Sequence, residues 1–317
     1  MKRLHVAAGV IRGANGHVLI AKRPLGSHQG GLWEFPGGKV EQGETAEAAL
    51  ARELAEELGI AVIAARPLIQ VRHDYSDKRV LLDVWEVLEF DGEPHGAEGQ
   101  PLAWVSAEDL PRYDFPAANR PIIAAARLPK AYLITPDNLA PQELLCGVAS
   151  VLDAGVRLLQ LRCPSLPDVR YRALAAQVLE VCVGRAQVML KGPLEWAHDF
   201  PDAGWHLTAS QLRRYADAGR PIEPERWLAA SCHDMAELDL AKQMGVDFIV
   251  LSPILDTASH PEARPLGWQC AAQLLLGFAQ PAYLLGGLGP SDGARAARVG
   301  AQGVAGIRAF WPAGHER

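Results

Sequence analysis

The 317-residue sequence is short of three things, and each shortage excludes something. No apolar run approaches the roughly 20 residues that a membrane-spanning helix requires. The opening stretch, MKRLHVAAGVIRGANGHVL, is broken by Arg12 and Gly13 too soon for a secretory signal, and a membrane partner is not expected. Cations are in deficit, 31 Lys and Arg against 37 Asp and Glu, for a net charge of −6. That leaves no sequence-wide basic field to attract a nucleic-acid polymer, so a small anionic substrate would need local arginines or a metal. Cysteine is scarce as well. The five, Cys146, Cys163, Cys182, Cys232 and Cys270, are scattered and form neither a CxxC pair nor a zinc spacing. Reduced thiols in a cytoplasmic protein are the expectation. With 49% hydrophobic and 21% charged residues, the composition is that of an ordinary globular chain long enough for two cores.

Against this background one stretch stands out, Gly38 to Ile60, reading GKVEQGETAEAALARELAEELGI. From Glu44 onward it is built of strong helix formers without proline. Thr45 and Glu44 suit a first turn, and Gly59 suits a C-terminal stop. Ala46, Leu50 and Leu54 recur every four residues as an apolar stripe. Glu53, Glu56 and Glu57 are spaced by three and four, which brings their carboxylates together on a neighbouring face. Like charges so placed repel, and the helix loses stability unless a cation sits among them. Oxygen-only ligands point to a hard divalent ion, magnesium, with manganese able to substitute. The alternative is a solvated acidic helix face.

Around this helix the pattern predicts strands at 4–12, 17–23, 67–73, 80–90 and 102–105, with a hairpin at Gly13–Gly16. The second strand ends in Lys22-Arg23, which either meets a phosphate or base or is a solvated pair. Trp33-Glu34-Phe35-Pro36-Gly37-Gly38 leads into the helix, and paired glycines there fit a loop whose carbonyl joins a metal shell. A second helix is expected over 116–128, with proline in its first turn.

Gly38, five residues, Glu44, seven residues, Arg52-Glu53-Leu54, one residue, Glu56-Glu57, one residue and Gly59-Ile60 match the Nudix box at every defined position. Residues 1 to about 128 resemble MutT-type members of the Nudix family, the branch that removes oxidised guanine nucleotides. MKRLHVAAGVIR, KRP, WEFPGGKVEQGE, GEPHGAEGQPLAW and DFPAANRPII carry the likeness. The resemblance implies metal ligands at the Gly37 carbonyl, Glu53, Glu56, Glu57 and Glu98. It also implies nucleotide contacts from Arg23, Phe35, Lys78 and Asn119. Asn119 would read the base edge, since an amide both donates and accepts; the alternative is an asparagine bonding its own backbone. The chain departs from the family at Ala118, where an aspartate is usual, and at Lys78, where the relative has arginine. The implied reaction is pyrophosphohydrolysis of a nucleoside triphosphate such as 8-oxo-dGTP. A metal-bound water would attack phosphorus, Glu53 or Glu98 would take its proton, and diphosphate would leave. Arg52 would orient the glutamates.

Near Leu128-Pro129-Lys130 the pattern changes, and strand-like pieces alternate with helical ones. Strands are predicted at 131–135, 158–162, 187–191, 204–208, 227–231, 247–252, 282–286 and 303–307. Eight such units imply a (β/α)8 TIM barrel with its site at the C-terminal strand ends. Gly286-Gly287 and the segment holding Gly306 would offer backbone N–H groups to a phosphate, or else are simple turns. AYLIT, LLQLR, GWHLTA, ASCHDMAEL, DFIVLSPILDT and YLLGGLGP resemble thiamine-phosphate synthase and its TenI relatives. Acidic residues expected by that likeness are missing: Lys191-Gly192 follows the third strand, and Thr208-Ala209-Ser210 follows the fourth. His260 stands near a family lysine. Synthase chemistry is therefore not expected, and TenI-type tautomerisation of a thiazole phosphate, with His233 as acid–base group, is the alternative to a ligand-sensing barrel; His233 could equally be a plain helix-start residue. The reading is an α/β protein of two domains. Residues 1–129 form a Nudix α/β/α sandwich with a mixed sheet, and residues 130–317 form the barrel, whose ligand would be a thiazole or other small phosphate. The alternative whole-chain function is thiamine metabolism, with the Nudix half clearing damaged precursors.

Overall fold

A computed structural model describes residues 2–13, 15–26, 29–74, 78–257 and 262–312. The chain divides into two compact units, Met1–Arg127 with Gly277–Ala279, and Leu128–Leu276 with Gln280–Arg317. No helix among the described residues is long and apolar enough to cross a membrane.

The first unit is built on β1 (Lys2–Arg12), β2 (Val18–Lys22), β3 (Trp33–Glu34), β4 (Gly37–Lys39), β5 (Ala61–Asp74), β6 (Lys78–Asp91) and β7 (Leu102–Val105), with helices α1 (Ala46–Leu58) and α2 (Arg120–Arg127). Its sheet runs β3-β2-β1-β6-β5, with β4 added to β1 and β7 to β2. It is mixed because β1 pairs parallel to β6 while its other pairings are antiparallel. Strand alternation splits the core in two. Ala7, Ile11 and Leu19 face α1, where they pack on Ala49, Leu50, Leu54 and Leu58. Ala8, Val10, Val18 and Ile20 face the other way onto Ile122, Ile123, Ala125 and Ala126 of α2. The buried stripe of α1 thus includes Ala49 and Leu58, while Ala46 is only half-buried.

Two predicted boundaries move. The strand expected at 67–73 begins at Ala61, and register shifts at Val62/Ala64, Ala64/Ala65 and Pro67/Ile69 explain why its alternation was hidden. The helix expected from Pro116 is a 3-10 turn at Ala117–Asn119 followed by α2 at Arg120, with Pro121 taking the first-turn position that proline tolerates.

The second unit is a closed barrel of eight parallel strands. They are β8 (Ala131–Ile134), β9 (Leu158–Leu161), β10 (Gln187–Leu190), β11 (Gly204–Leu207), β12 (Leu228–Cys232), β13 (Phe248–Leu251), β14 (Ala282–Leu284) and β15 (Gly303–Gly306). Each falls on a strand predicted from sequence. Outside them stand α3 (Pro141–Asp153), α4 (Asp168–Cys182), α5 (Ala209–Tyr215), α6 (Met235–Met244), α7 (Gly267–Leu275) and α8 (Gly293–Arg298); 3-10 turns follow β10 and β15. The strands are almost wholly buried, and Tyr132, Phe248 and Tyr283 pack ring against ring. This is the continuous apolar character of a parallel sheet covered on both faces.

Candidate active sites in the two units

In the first unit the loop before α1 and the helix itself place the charges. Thr45 caps α1, accepting from the Ala48 N–H at 3.2 Å, and Gly59 ends it in the left-handed conformation at φ 67°. Gly37 sits at φ 143°, and a Cβ there would lie 2.2 Å from the Ala7 carbonyl oxygen. At Gly38 a Cβ would lie 2.2 Å from the Glu53 carboxyl group. Glycine therefore lets β4 run against β1 and lets Glu53 fold over the loop.

Arg52 is clamped by this arrangement. Its Nε and Nη2 reach Glu44 at 3.1 and 3.0 Å, Nη1 reaches Glu53 at 2.9 Å and Glu56 at 3.4 Å, and Nη2 donates to the Lys39 carbonyl at 3.0 Å. Among the described residues Glu57 has no such partner, and its Oε2 accepts a long 3.4 Å bond from the Gly37 N–H. Burial first, then the charges of Glu34, Glu53 and Glu98, push its carboxyl up to about 7. Glu34 is raised as well, by burial, although Arg23 beside it works in the opposite direction. Among the described residues no three metal-binding side chains converge closely enough to hold an ion as they stand. The donor chemistry nevertheless fits one: the patch is anionic, all-oxygen and under-compensated at Glu57. Glu98 lies on an exposed loop, and it is close enough for its charge to act on Glu57.

Beside the patch is a cavity of about 240 Å³ that brings together Arg23, Phe35, Gly37 and Asn119. Phe35 is buried and stacks on Phe115, ring centroids 5.2 Å apart. Arg23 pairs with Glu34. Asn119 is 9% exposed, and its side-chain amide takes no partner among the described residues, so it is not tied to its own backbone. The Lys78 side chain and His260 lie outside the described residues. One lining residue escaped the sequence reading: Gln29, whose buried Oε1 has no hydrogen-bond partner. Only its position in the fold marks it, because glutamine in a loop carries no pattern.

In the barrel a larger cavity, about 1110 Å³, opens at the C-terminal strand ends and collects His233, Gly286, Gly287 and Gly306. His233 Nδ1 lies 2.7 Å from Glu237 Oε2, which also accepts the His233 backbone N–H at 2.8 Å. Glu237 is buried and further paired with Arg213, so this imidazole is held in place. The floor is a polar chain unanticipated from sequence: Gln160, Tyr132, His206, Ser231 and Lys191.

A mixed-sheet sandwich with this glycine loop and glutamate helix, joined to a closed parallel barrel, defines a hydrolase of phosphoanhydrides carrying a second, barrel-type unit. The NUDIX domain family matches residues 7–125, and the thiamine monophosphate synthase family matches residues 131–310. The chain belongs to both families, the first through its N-terminal unit and the second through its barrel. Over 124 residues it is 43% identical to the 8-oxo-dGTP diphosphatase of Escherichia coli K12, spanning 39% of this chain and 96% of that protein. It is 39% identical over 125 residues to the CTP pyrophosphohydrolase of the same organism, 39% and 90% of the two lengths. The barrel is 30% identical over 184 residues to the second thiamine-phosphate synthase-like protein of Aquifex aeolicus, 58% of this chain and 98% of that one.

Proposed function

We propose that the first unit hydrolyses 8-oxo-dGTP to 8-oxo-dGMP and diphosphate in a magnesium-dependent reaction. The observation that carries the reading is Glu57, a half-buried carboxylate raised to about 7 among three other acids with no cationic partner among the described residues. Glu53, Glu56, Glu57, Glu98 and the Gly37 carbonyl would hold the ion, which when bound neutralises phosphate charge and acidifies water. Arg52 holds Glu53 and Glu56 in place from the side and so orients the ligand set. Glu53 or Glu98 accepts the proton of the attacking water, one water adding across the phosphoanhydride for each diphosphate released. In the neighbouring cavity Phe35 gives the base an apolar wall, Arg23 meets phosphate or base, and the free amide of Asn119 reads its edge. The relatives' names differ in base, guanine in one and cytosine in the other, so base choice is the finer part of the proposal.

The test compares release of diphosphate from 8-oxo-dGTP, dGTP and CTP by the full chain and by Glu53→Gln. Undiminished turnover in the variant sinks the metal and base assignments; equal kcat/KM on 8-oxo-dGTP and CTP sinks the substrate.

For the barrel we propose binding of a small phosphorylated molecule of the thiazole phosphate class. Its backbone cradle would be Gly286, Gly287 and Gly306, with His233 as the acid–base group. The support is the cavity itself, which holds these residues together with His233 fixed by Glu237. Tautomerisation of a thiazole phosphate at equal rates by the full chain and His233→Ala removes the histidine's role. The free thiols of all five cysteines fit a reducing, cytoplasmic setting.

A further inference from the structure

Lys191 is used by neither reading above. It follows β10 at the C-terminal end and lines the barrel cavity. Lysine is rare here: Lys2, Lys22, Lys39, Lys78, Lys130, Lys191 and Lys242 are all there are. No carboxylate pairs with Lys191 among the described residues, and its one partner is Ser231 Oγ at 3.2 Å. Arg162, at the end of β9 and in the same cavity, adds a like charge and makes no ion pair among the described residues.

Burial, and after it Arg162, bring the Lys191 amine down to about 8 from the ordinary 10.5. At pH 7.5 about a quarter of such amines are neutral, against about one in a thousand for an ordinary lysine. The polar chain beneath points the same way. Gln160 Nε2 donates to Tyr132 Oη at 3.0 Å, which leaves the phenol proton for His206 Nδ1 at 3.0 Å. By this network the proton of His206 sits on Nε2, 3.0 Å from Ser231 Oγ. His206 is fully enclosed and held neutral, its burial and then the Lys191 charge taking it well below 6.5. Ser231, accepting from His206, can turn its own hydroxyl proton toward an unprotonated Lys191.

We propose that Lys191 is an imine-forming nucleophile for a small carbonyl compound bearing an anionic group, bound in the barrel cavity. The amine lone pair adds to the carbonyl carbon, and the C–O π pair moves to oxygen, which takes up the proton that nitrogen loses, giving a carbinolamine. A second proton reaches that oxygen, the C–O bond breaks, and water leaves a C=N⁺ bond to Nζ; nothing is oxidised or reduced. Ser231 is placed to pass these protons. Arg162, Arg308 and the glycine backbone of the same cavity would serve the anionic end, while Asp256, Glu262 and His233 complete its charged lining. The anionic end rests on the reading of this cavity as a phosphate site.

The experiment incubates the full chain at pH 7.5 with glyceraldehyde 3-phosphate and borohydride, which reduces an imine to a stable secondary amine, and maps the adducts by peptide mass. Lys191 should label at least about tenfold faster than Lys130 and the exposed Lys242, given its larger neutral fraction. Inorganic phosphate should slow that labelling, and Lys191→Met should lose it while keeping its circular dichroism melt. Equal labelling of the three lysines, or a silent Lys191, overturns the proposal without reference to any variant. Labelling by unphosphorylated glyceraldehyde at the same rate keeps the imine and removes the anionic end. Calorimetric binding of inorganic phosphate with no label on Lys191 keeps the phosphate site and removes the imine.

Discussion

Replacing Glu57 by glutamine should make the first unit more stable when metal is absent. The side chain keeps its size, and the 3.4 Å contact from the Gly37 N–H can still be accepted by the amide oxygen. What disappears is an ionised carboxylate held among other acids. A carboxyl raised from 4.5 to about 7 corresponds to ~3 kcal/mol of instability in its charged form, and solvent reaching this half-buried group reduces that to about 1–2 kcal/mol. The sign follows from the direction. The folded carboxyl binds its proton more tightly than the unfolded one, so its stability is present below pH 4.5 and is lost as pH rises toward 7. At pH 8 in a chelator, amides of α1 should therefore be protected about 5- to 30-fold better in Glu57→Gln than in wild type, if opening of the helix unburies the site. Hydrogen exchange read by mass spectrometry on peptides covering 46–58 measures this, with Glu47→Gln, an exposed first-turn change on the same helix, as the control. Millimolar magnesium should reverse the order, because only wild type keeps the full ligand charge. Protection in the variant equal to or below that of wild type at pH 8 without metal would refute the reasoning.

Three further outcomes are expected. Asn119→Ala should cost about 1–3 kcal/mol in discrimination between purine and pyrimidine triphosphates, seen as a roughly 5- to 150-fold fall in the ratio of their kcat/KM values. Gly303→Ala should destabilise the barrel by more than about 2 kcal/mol in urea titration, since its Cβ would stand 1.9 Å from the Lys130 carbonyl where β15 runs beside β8. The barrel should also weaken on acidification. His206 is neutral when folded and ordinary when unfolded, so the stability its neutral form carries is full above pH 6.5 and falls below it by up to about 1.4 kcal/mol per pH unit. A His206→Asn variant should lose that slope in urea titrations between pH 5 and 7.

Much of this was legible in sequence because it depends on local spacing. The Thr45 cap, the Gly59 stop and the three-and-four spacing of the glutamates are properties of one helix. The eight barrel strands announced themselves as short apolar runs because parallel strands are buried on both faces. What escaped depends on the tertiary surroundings. The two short strands Trp33–Glu34 and Gly37–Lys39 exist only because β2 and β1 lie beside them. Residues 61–66 hide their strand behind bulges. Lys191 registered in the sequence only as the loss of an expected acid. Its chemistry lies in burial and in the lack of a carboxylate partner among the described residues, neither of which a string of letters carries.

The two sites are under-compensated in opposite senses, and this says more about their ligands than either family likeness does. At α1 the charges of three acids act on Glu57, and Arg52 is engaged by Glu44, Glu53 and Glu56, so the net term on Glu57 is negative. The triphosphate proposed as substrate would add repulsion if brought there alone, and a divalent cation would offset it. In the barrel cavity Arg162 and Lys191 form no ion pair among the described residues, and the neutral His206 beneath them adds no charge of either sign. An anion of the proposed class would meet this pair directly, with Asp256 and Glu262 elsewhere in the same lining. Lys191 follows the third barrel strand, where family likeness leads one to expect an acid, and a lysine there brings the opposite charge. On the functions proposed, a divalent cation would complete the acidic site, whereas the lysine and arginine of the barrel cavity would offer their charge to an anion directly.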